Sequence, residues 1–266
     1  MDFYGVSVLQ HQGIILKKLL RVCHQLVKKG LSWLVAILPN RCISCHQIVG
    51  MEQSGICQIC LTAGLYRQPI CLGCGAGLQE LRVYCGTCQR KEPVKIISPC
   101  SYHFGLGQWV AAIKYQRQLA VIDAMAQALY QRLLMLEQQQ LISMPQVIIP
   151  VPLHPKRLRE RGFNQAWLIA KRLSELTELP LVDDKLIRII NTESQAGLDG
   201  QQRRQNLQQA FQLSEVFDYQ RIALVDDVVT TGTTVNEITQ LFSKRFIQTQ
   251  VWCLARAEAP GLLSLT

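Results

Sequence analysis

The chain has 266 residues, 48% of them apolar and 18% charged, with a formal net charge of +9. Such a composition excludes a disordered chain and is enough for one full α/β domain plus a smaller module. No run approaches the ~18 consecutive apolar residues of a membrane span, and Met1-Asp2-Phe3-Tyr4 lacks the basic start of a signal peptide, so a cytoplasmic protein with no transmembrane segment is expected.

Charge is unevenly spread. Residues 1–100 carry 11 Lys and Arg against 4 Asp and Glu, and the remainder 17 against 15. A basic first part suits an anionic partner, nucleic acid or a membrane surface, and equally suits a solvated basic face. Within residues 1–40, Ile15, Leu19, Val22 and Leu26 form an apolar stripe beside Lys17, Lys18, Arg21, Lys28 and Lys29, and Pro39 ends it. This predicts a basic amphipathic helix, able to lie on the inner membrane face, to meet a partner protein or to pack on its own chain.

Residues 41–92 are expected to form a cysteine module. Eight of the eleven cysteines make four Cys-x-x-Cys pairs: Cys42/Cys45, Cys57/Cys60, Cys71/Cys74 and Cys85/Cys88. Two such turns complete one tetrahedral Cys₄ zinc site, so two structural Zn²⁺ ions are expected, in a module too small to bury its own core. A disulfide framework is the competing reading and needs an oxidising compartment. Sequential pairing is the simplest arrangement, and the spacing leaves an interleaved one open. His46 lies between the pairs as a spare ligand type, while Cys23, Cys100 and Cys253 read as buried apolar residues.

Residues 93–266 alternate strands with helices. After a connector ending at Ile97 comes helical periodicity over Trp109 to Leu136. A strand at Gln146–Val151, a loop, a helix at Gln165–Leu176 and a strand at Leu186–Ile190 follow. Next are a polar segment from Asn191 to Gln205, a strand at Ile222–Val225, a helix carrying Val235, Ile238, Leu241 and Phe242, and a last strand at Gln248–Ala255. This order predicts a doubly wound parallel sheet, which takes ligands at the carboxyl ends of its strands.

Three stretches reach that end. Asp226 and Asp227 follow the apolar run Ile222–Val225, and Thr230, Thr231, Gly232, Thr233 and Thr234 lead into a helix. Gly lets backbone approach a ligand, helix-start amides and hydroxyls favour phosphate, and two carboxylates accept from a ribose diol or help hold a divalent cation. The physical reading is a ribose-5-phosphate site. Pro150 to Gln165 carries His154, Lys156, Arg157, Arg159 and Arg161, cations suited to a pyrophosphate with Mg²⁺ or to a nucleic-acid backbone. The polar stretch around Thr192, Gln195, Arg203, Arg204 and Asn206 is a candidate mobile loop that would exclude water from a reacting ribose; an ordinary surface loop is the alternative.

Asp-Asp, two apolar residues and Thr-Thr-Gly-Thr-Thr resemble the phosphoribosyl pyrophosphate (PRPP) signature of type I phosphoribosyltransferases. That resemblance implies a phosphoribosyltransferase-like fold. It assigns Asp226 and Asp227 to the ribose hydroxyls and the reaction, and Thr230 to Thr234 to the 5-phosphate. With the cysteine head, Pro150 and Pro152, Arg161 to Gln165, then Thr192, Gln195, Arg203, Asn206, Ala210 and Phe211, the chain resembles the ComF/GntX family. The family resemblance implies a role in natural competence, transformation or DNA utilisation. It implies handling of incoming single-stranded DNA, working with competence or recombination proteins. It also implies a PRPP site with Mg²⁺, which either grips a ligand or turns over on an unidentified nitrogen acceptor. Tyr66, Tyr84, Tyr102 and Trp109 are aromatics able to stack on bases.

Overall fold

The computed structural model describes residues 40–50, 55–107, 109–110, 113, 119–190 and 210–258. The amphipathic segment expected over residues 1–39 lies outside them, as do Thr192, Gln195, Arg203, Arg204 and Asn206 of the expected mobile loop.

The cysteine module is built as a repeat. A hairpin turn closed by the bridge Arg41↔Ile48 carries Cys42 and Cys45, and one closed by Ile70↔Gly77 carries Cys71 and Cys74. The two turns share their hydrogen bonds: the Cys42 amide donates to the Gln47 carbonyl at 2.9 Å and the Cys71 amide to Ala76 at 2.8 Å. Each turn needs a left-handed residue, filled by His46 (φ 61°) in the first and Gly75 (φ 83°) in the second. His46 is therefore a turn residue. Each hairpin is followed by a short helix, α1 (Gln58–Gly64) and α2 (Gly86–Gln89), whose N-caps are Cys57 and Cys85.

The rest is an α/β domain. β1 (Lys95–Ile97), β2 (Cys100–Ser101), β3 (Val147–Pro150), β6 (Arg221–Val229) and β7 (Gln248–Arg256) form one sheet. Its order is β1-β7-β6-β3, with β2 continuing the β1 edge against β7, and every pairing is parallel. Side chains alternate across it as the period of two demands. Ile148, Ala223, Val225, Trp252 and Leu254 join one apolar cluster with α3 (Ala120–Gln138) and α5 (Gln165–Thr177). Val147, Ile149, Ile222, Leu224, Val251 and Cys253 join another with α6 (Thr233–Ser243). Helices on both faces make the sheet doubly wound, as expected.

On α3, Val121, Met125, Leu129, Leu133 and Leu136 are buried at three- and four-residue spacing, which seats one stripe on the sheet. Outside the sheet, β4 (Leu186–Arg188) pairs antiparallel with β5 (Phe211–Leu213), a hairpin partner that the sequence reading did not predict. Two expectations need correction. The signature strand does not stop at Val225: it runs to Val229, because β7 continues pairing through Val229↔Arg256. The stretch after Pro150 is not a plain loop either. His154 caps a helix, α4 (Pro155–Arg161), accepting from the Lys156 amide at 3.3 Å, with Pro155 at its first position.

Candidate functional site

Asp226 and Asp227 lie within paired strand, not in a loose turn. The Asp227 amide donates to Asp226 Oδ1 at 2.8 Å, and the Val228 amide to Asp227 Oδ1 at 2.9 Å, so each carboxylate is oriented by the next peptide. Asp227 is 8% exposed and Asp226 is half-buried. Both lie close to the end of β6 at Val229.

Thr230 and Thr231 then turn the chain in the open, and Gly232 (φ 72°) starts α6 in the left-handed region that glycine adopts freely. Gly232 has no side chain with which to cap α6, and amides at a helix start favour an anion. The Thr231 and Thr233 hydroxyls share a 2.8 Å hydrogen bond there.

The neighbouring cations come from two elements. Lys156 is exposed and Arg157 half-buried on α4, while Arg161 Nη1 bonds Gln165 Oε1 at 3.0 Å. Most of the Arg161–Gln165 motif builds the α4–α5 junction. Gly162 (φ 84°) ends α4, and Asn164 caps α5 from Oδ1 while its Nδ2 holds the Val151 carbonyl at 3.1 Å. Arg188 on β4 is the residue that sequence reading missed. Its guanidinium lies over the Phe211 ring, 5.4 Å from the centroid. Burial, then the charge of Arg157, push it down to about 10, with Asp226 opposing them. Arg157 and Asp226 are thus both close enough to Arg188 for their charges to act on it. Beside them opens a cleft of about 540 Å³ lined by Pro150, Pro152, Phe163, Trp167, Asp183 and Arg188 among others. That size and mixture of apolar wall with few polar groups suits a small ligand.

The eight module cysteines fall into two clusters, Cys42, Cys45, Cys57 and Cys60, then Cys71, Cys74, Cys85 and Cys88, with the sulfurs of each within 4.8 Å of one another. Pairing is therefore sequential. A tetrahedral site with ~2.3 Å Zn–S bonds sets sulfurs about 3.8 Å apart. Cys45–Cys57 and Cys74–Cys85 are both 3.7 Å, so the donors fit structural zinc. Burial works to raise Cys42, yet amide hydrogen bonds bring it down to about 6; at Cys85 the Cys88 hydrogen bond leads, giving about 7. Cys100 and Cys253 are fully buried in the sheet core, as expected of apolar cysteines. Tyr66 and Tyr84 make internal hydrogen bonds, to Glu258 and the Pro93 carbonyl, and Tyr102 packs on the core.

The family model for the double zinc ribbon domain matches residues 33–89. Competence protein F of Haemophilus influenzae is 37% identical over 223 residues, 82% of this chain and 97% of that protein. DNA utilization protein YhgH of Salmonella typhimurium is 33% identical over 82% of this chain and 98% of its own length. Competence protein ComFC of Bacillus subtilis is 35% identical over 98 residues, 34% of this chain and 35% of that protein. A purine phosphoribosyltransferase from Pyrococcus horikoshii overlaps 52% of this chain and 83% of its own, at 17% identity and a TM-score of 0.30. No helix among the described residues is long and apolar enough to cross a membrane.

Proposed function

The chain belongs to the ComF family, with competence protein F and the YhgH proteins, and from that premise we propose that it handles incoming single-stranded DNA while holding PRPP or a related ribose-5-phosphate at the carboxyl end of its sheet. The observation that carries the reading is the arrangement around the tip of β6. Two oriented carboxylates near the end of β6 are followed directly by the helix start behind Gly232, and the charges of Asp226 and Arg157 both act on Arg188. In this reading residues 41–92 are a zinc-stapled head and residues 93–266 the ligand-binding domain.

Asp226 and Asp227 accept from the ribose 2- and 3-hydroxyls, and the amides and hydroxyls of Thr230 to Thr234 hold the 5-phosphate. Lys156, Arg157 and Arg161, joined by Arg188, face the pyrophosphate; Gln195, Arg203 and Asn206 belong to the covering loop. Mg²⁺ bound with PRPP would offset pyrophosphate charge, with Asp226 and Asp227 its available carboxylates. The protein works in the cytoplasm, at the inner membrane face when DNA arrives, alongside competence or recombination proteins.

The DNA part is tested by titrating single-stranded oligonucleotide against salt. Phosphate contacts predict affinity falling steeply and log-linearly with salt; undetectable or salt-insensitive binding contradicts it. A second reading is an active phosphoribosyltransferase, favoured by the cleft beside Arg188, which leaves room for an acceptor. There a nitrogen nucleophile would bond to ribosyl C1 as the C1–pyrophosphate oxygen bond breaks, the nucleophile then losing a proton. Release of pyrophosphate from PRPP with a panel of nitrogen acceptors tests it, and no release with any of them counts against turnover.

A further inference from the structure

A second cavity, about 520 Å³, lies where the cysteine module meets the α/β domain and belongs to neither alone. Its wall combines Tyr66, Gln68 and Gly77 of the module with Ser101, Phe104 and Glu258 of the domain. Glu258 is 8% exposed, and both its oxygens are engaged: Tyr66 OH donates to Oε1 and Ser101 OH to Oε2, each at 2.7 Å. A carboxylate has about four acceptor sites, so each oxygen keeps acceptor capacity beyond these two bonds. Burial, then the Glu258 bond, push the Tyr66 phenol up, which keeps it a donor to Glu258. Phe104 is 51% exposed at the rim, an aromatic face for a planar ligand.

We propose that this cavity binds a guanine base. Two adjacent acceptors on one carboxylate match two adjacent N–H donors on a planar edge. Guanine presents them, N1–H beside the 2-amino group. Adenine and cytosine set an acceptor next to their amino group, and thymine flanks its single N–H with carbonyls. The stacking face is Phe104, and the Gln68 amide gives a further polar contact. The pocket lies near the candidate ribose-phosphate site: Arg256, two residues before Glu258, is in register with Val229, which precedes Thr230. The choice of single-stranded DNA as the source of the base rests on the DNA-handling reading; a free nucleoside is the other source of the same chemistry.

The test uses the zinc-loaded full-length protein and ligand-observed NMR titrations. Guanosine is expected to bind in preference to adenosine, cytidine and thymidine. Inosine, which keeps N1–H but lacks the 2-amino group, is expected to bind roughly tenfold more weakly, the scale of one lost hydrogen bond to a charged group. Glu258→Gln should erase the guanosine–inosine difference, and Phe104→Ala, at an exposed position, should weaken all binding while leaving the fold intact. Equal affinity for guanosine and inosine, or no guanosine binding, overturns the proposal. A second arm compares oligo-dT with the same strand carrying one central dG. A dG preference lost in Glu258→Gln identifies DNA as the source. Guanosine selectivity with no oligonucleotide binding makes the pocket a free-nucleoside site and removes the DNA-handling reading instead.

Discussion

The Arg256 guanidinium at the end of β7 donates from Nη1 to the carbonyl of Leu72, 3.1 Å away in the second cysteine turn. Its Nη2 reaches the neighbouring Gly73 carbonyl. Arg256 is itself buried, and its own carbonyl accepts from Tyr102 at 2.7 Å. One side chain therefore fastens the cysteine module to the sheet end that carries the candidate site. Replacing it with Met removes both bonds, although the Leu72 carbonyl keeps the Ile96 amide at 2.8 Å, so Arg256→Met should cost about 1–3 kcal/mol in urea unfolding. Zinc content should stay at two ions per chain, which separates a lost tether from a lost metal.

Sequential pairing makes the two metal sites independent in composition. Cys45→Ser should reduce bound zinc from two ions to one, measured by chelator-released metal, and Cys74→Ser should do the same at the other site. The double variant should bind none. An interleaved arrangement, first pair with third, would set Cys45 and Cys74 on the same ion, and the double variant would then keep one.

The charge of Arg157 works against that of Arg188, and an anion bound between them would relieve the repulsion. Arg188→Met should weaken pyrophosphate binding by roughly tenfold or more in calorimetry, the scale of a lost charge-assisted contact. Arg188→Lys should not restore it, since a lysine loses the planar fork and the stack on Phe211. Equal affinity in all three proteins would remove Arg188 from the site.

Gly232 lies at φ 72° with its nearest would-be Cβ neighbour, Asn236 Nδ2, at 3.8 Å. Space is therefore not the constraint; backbone conformation is. Gly232→Ala should fold, lose about 1–2 kcal/mol from left-handed strain, and bind phosphate ligands less well as the helix start shifts.

The doubly wound sheet was legible because β3, β6 and β7 are apolar runs of strand length, and α3 and α5 show helical spacing over whole turns. The eight cysteines announced their metal clusters by spacing alone, though only folding decided which four sulfurs meet. The end of β6 was not legible: Asp226 and Asp227 read locally as a turn, and their strand geometry comes from pairing with β7, distant in sequence. α4 was hidden by Pro155, whose place at a helix start looks the same as a breaker in a loop. Arg188 carried no motif at all. It joins the site because β4 pairs with β5, and the residues joining those strands are polar and aperiodic. Glu258 was equally silent, since its role depends on Tyr66 and Ser101 from two separate segments.

The measurement that tests the central claim most directly is calorimetric titration of PRPP with Mg²⁺ into zinc-loaded wild type and into the Asp226→Asn/Asp227→Asn double variant. Saturable wild-type binding that disappears in a folded double variant is the predicted result. No binding to wild type, or equal binding to both proteins, would contradict a ribose-phosphate site at the tip of β6.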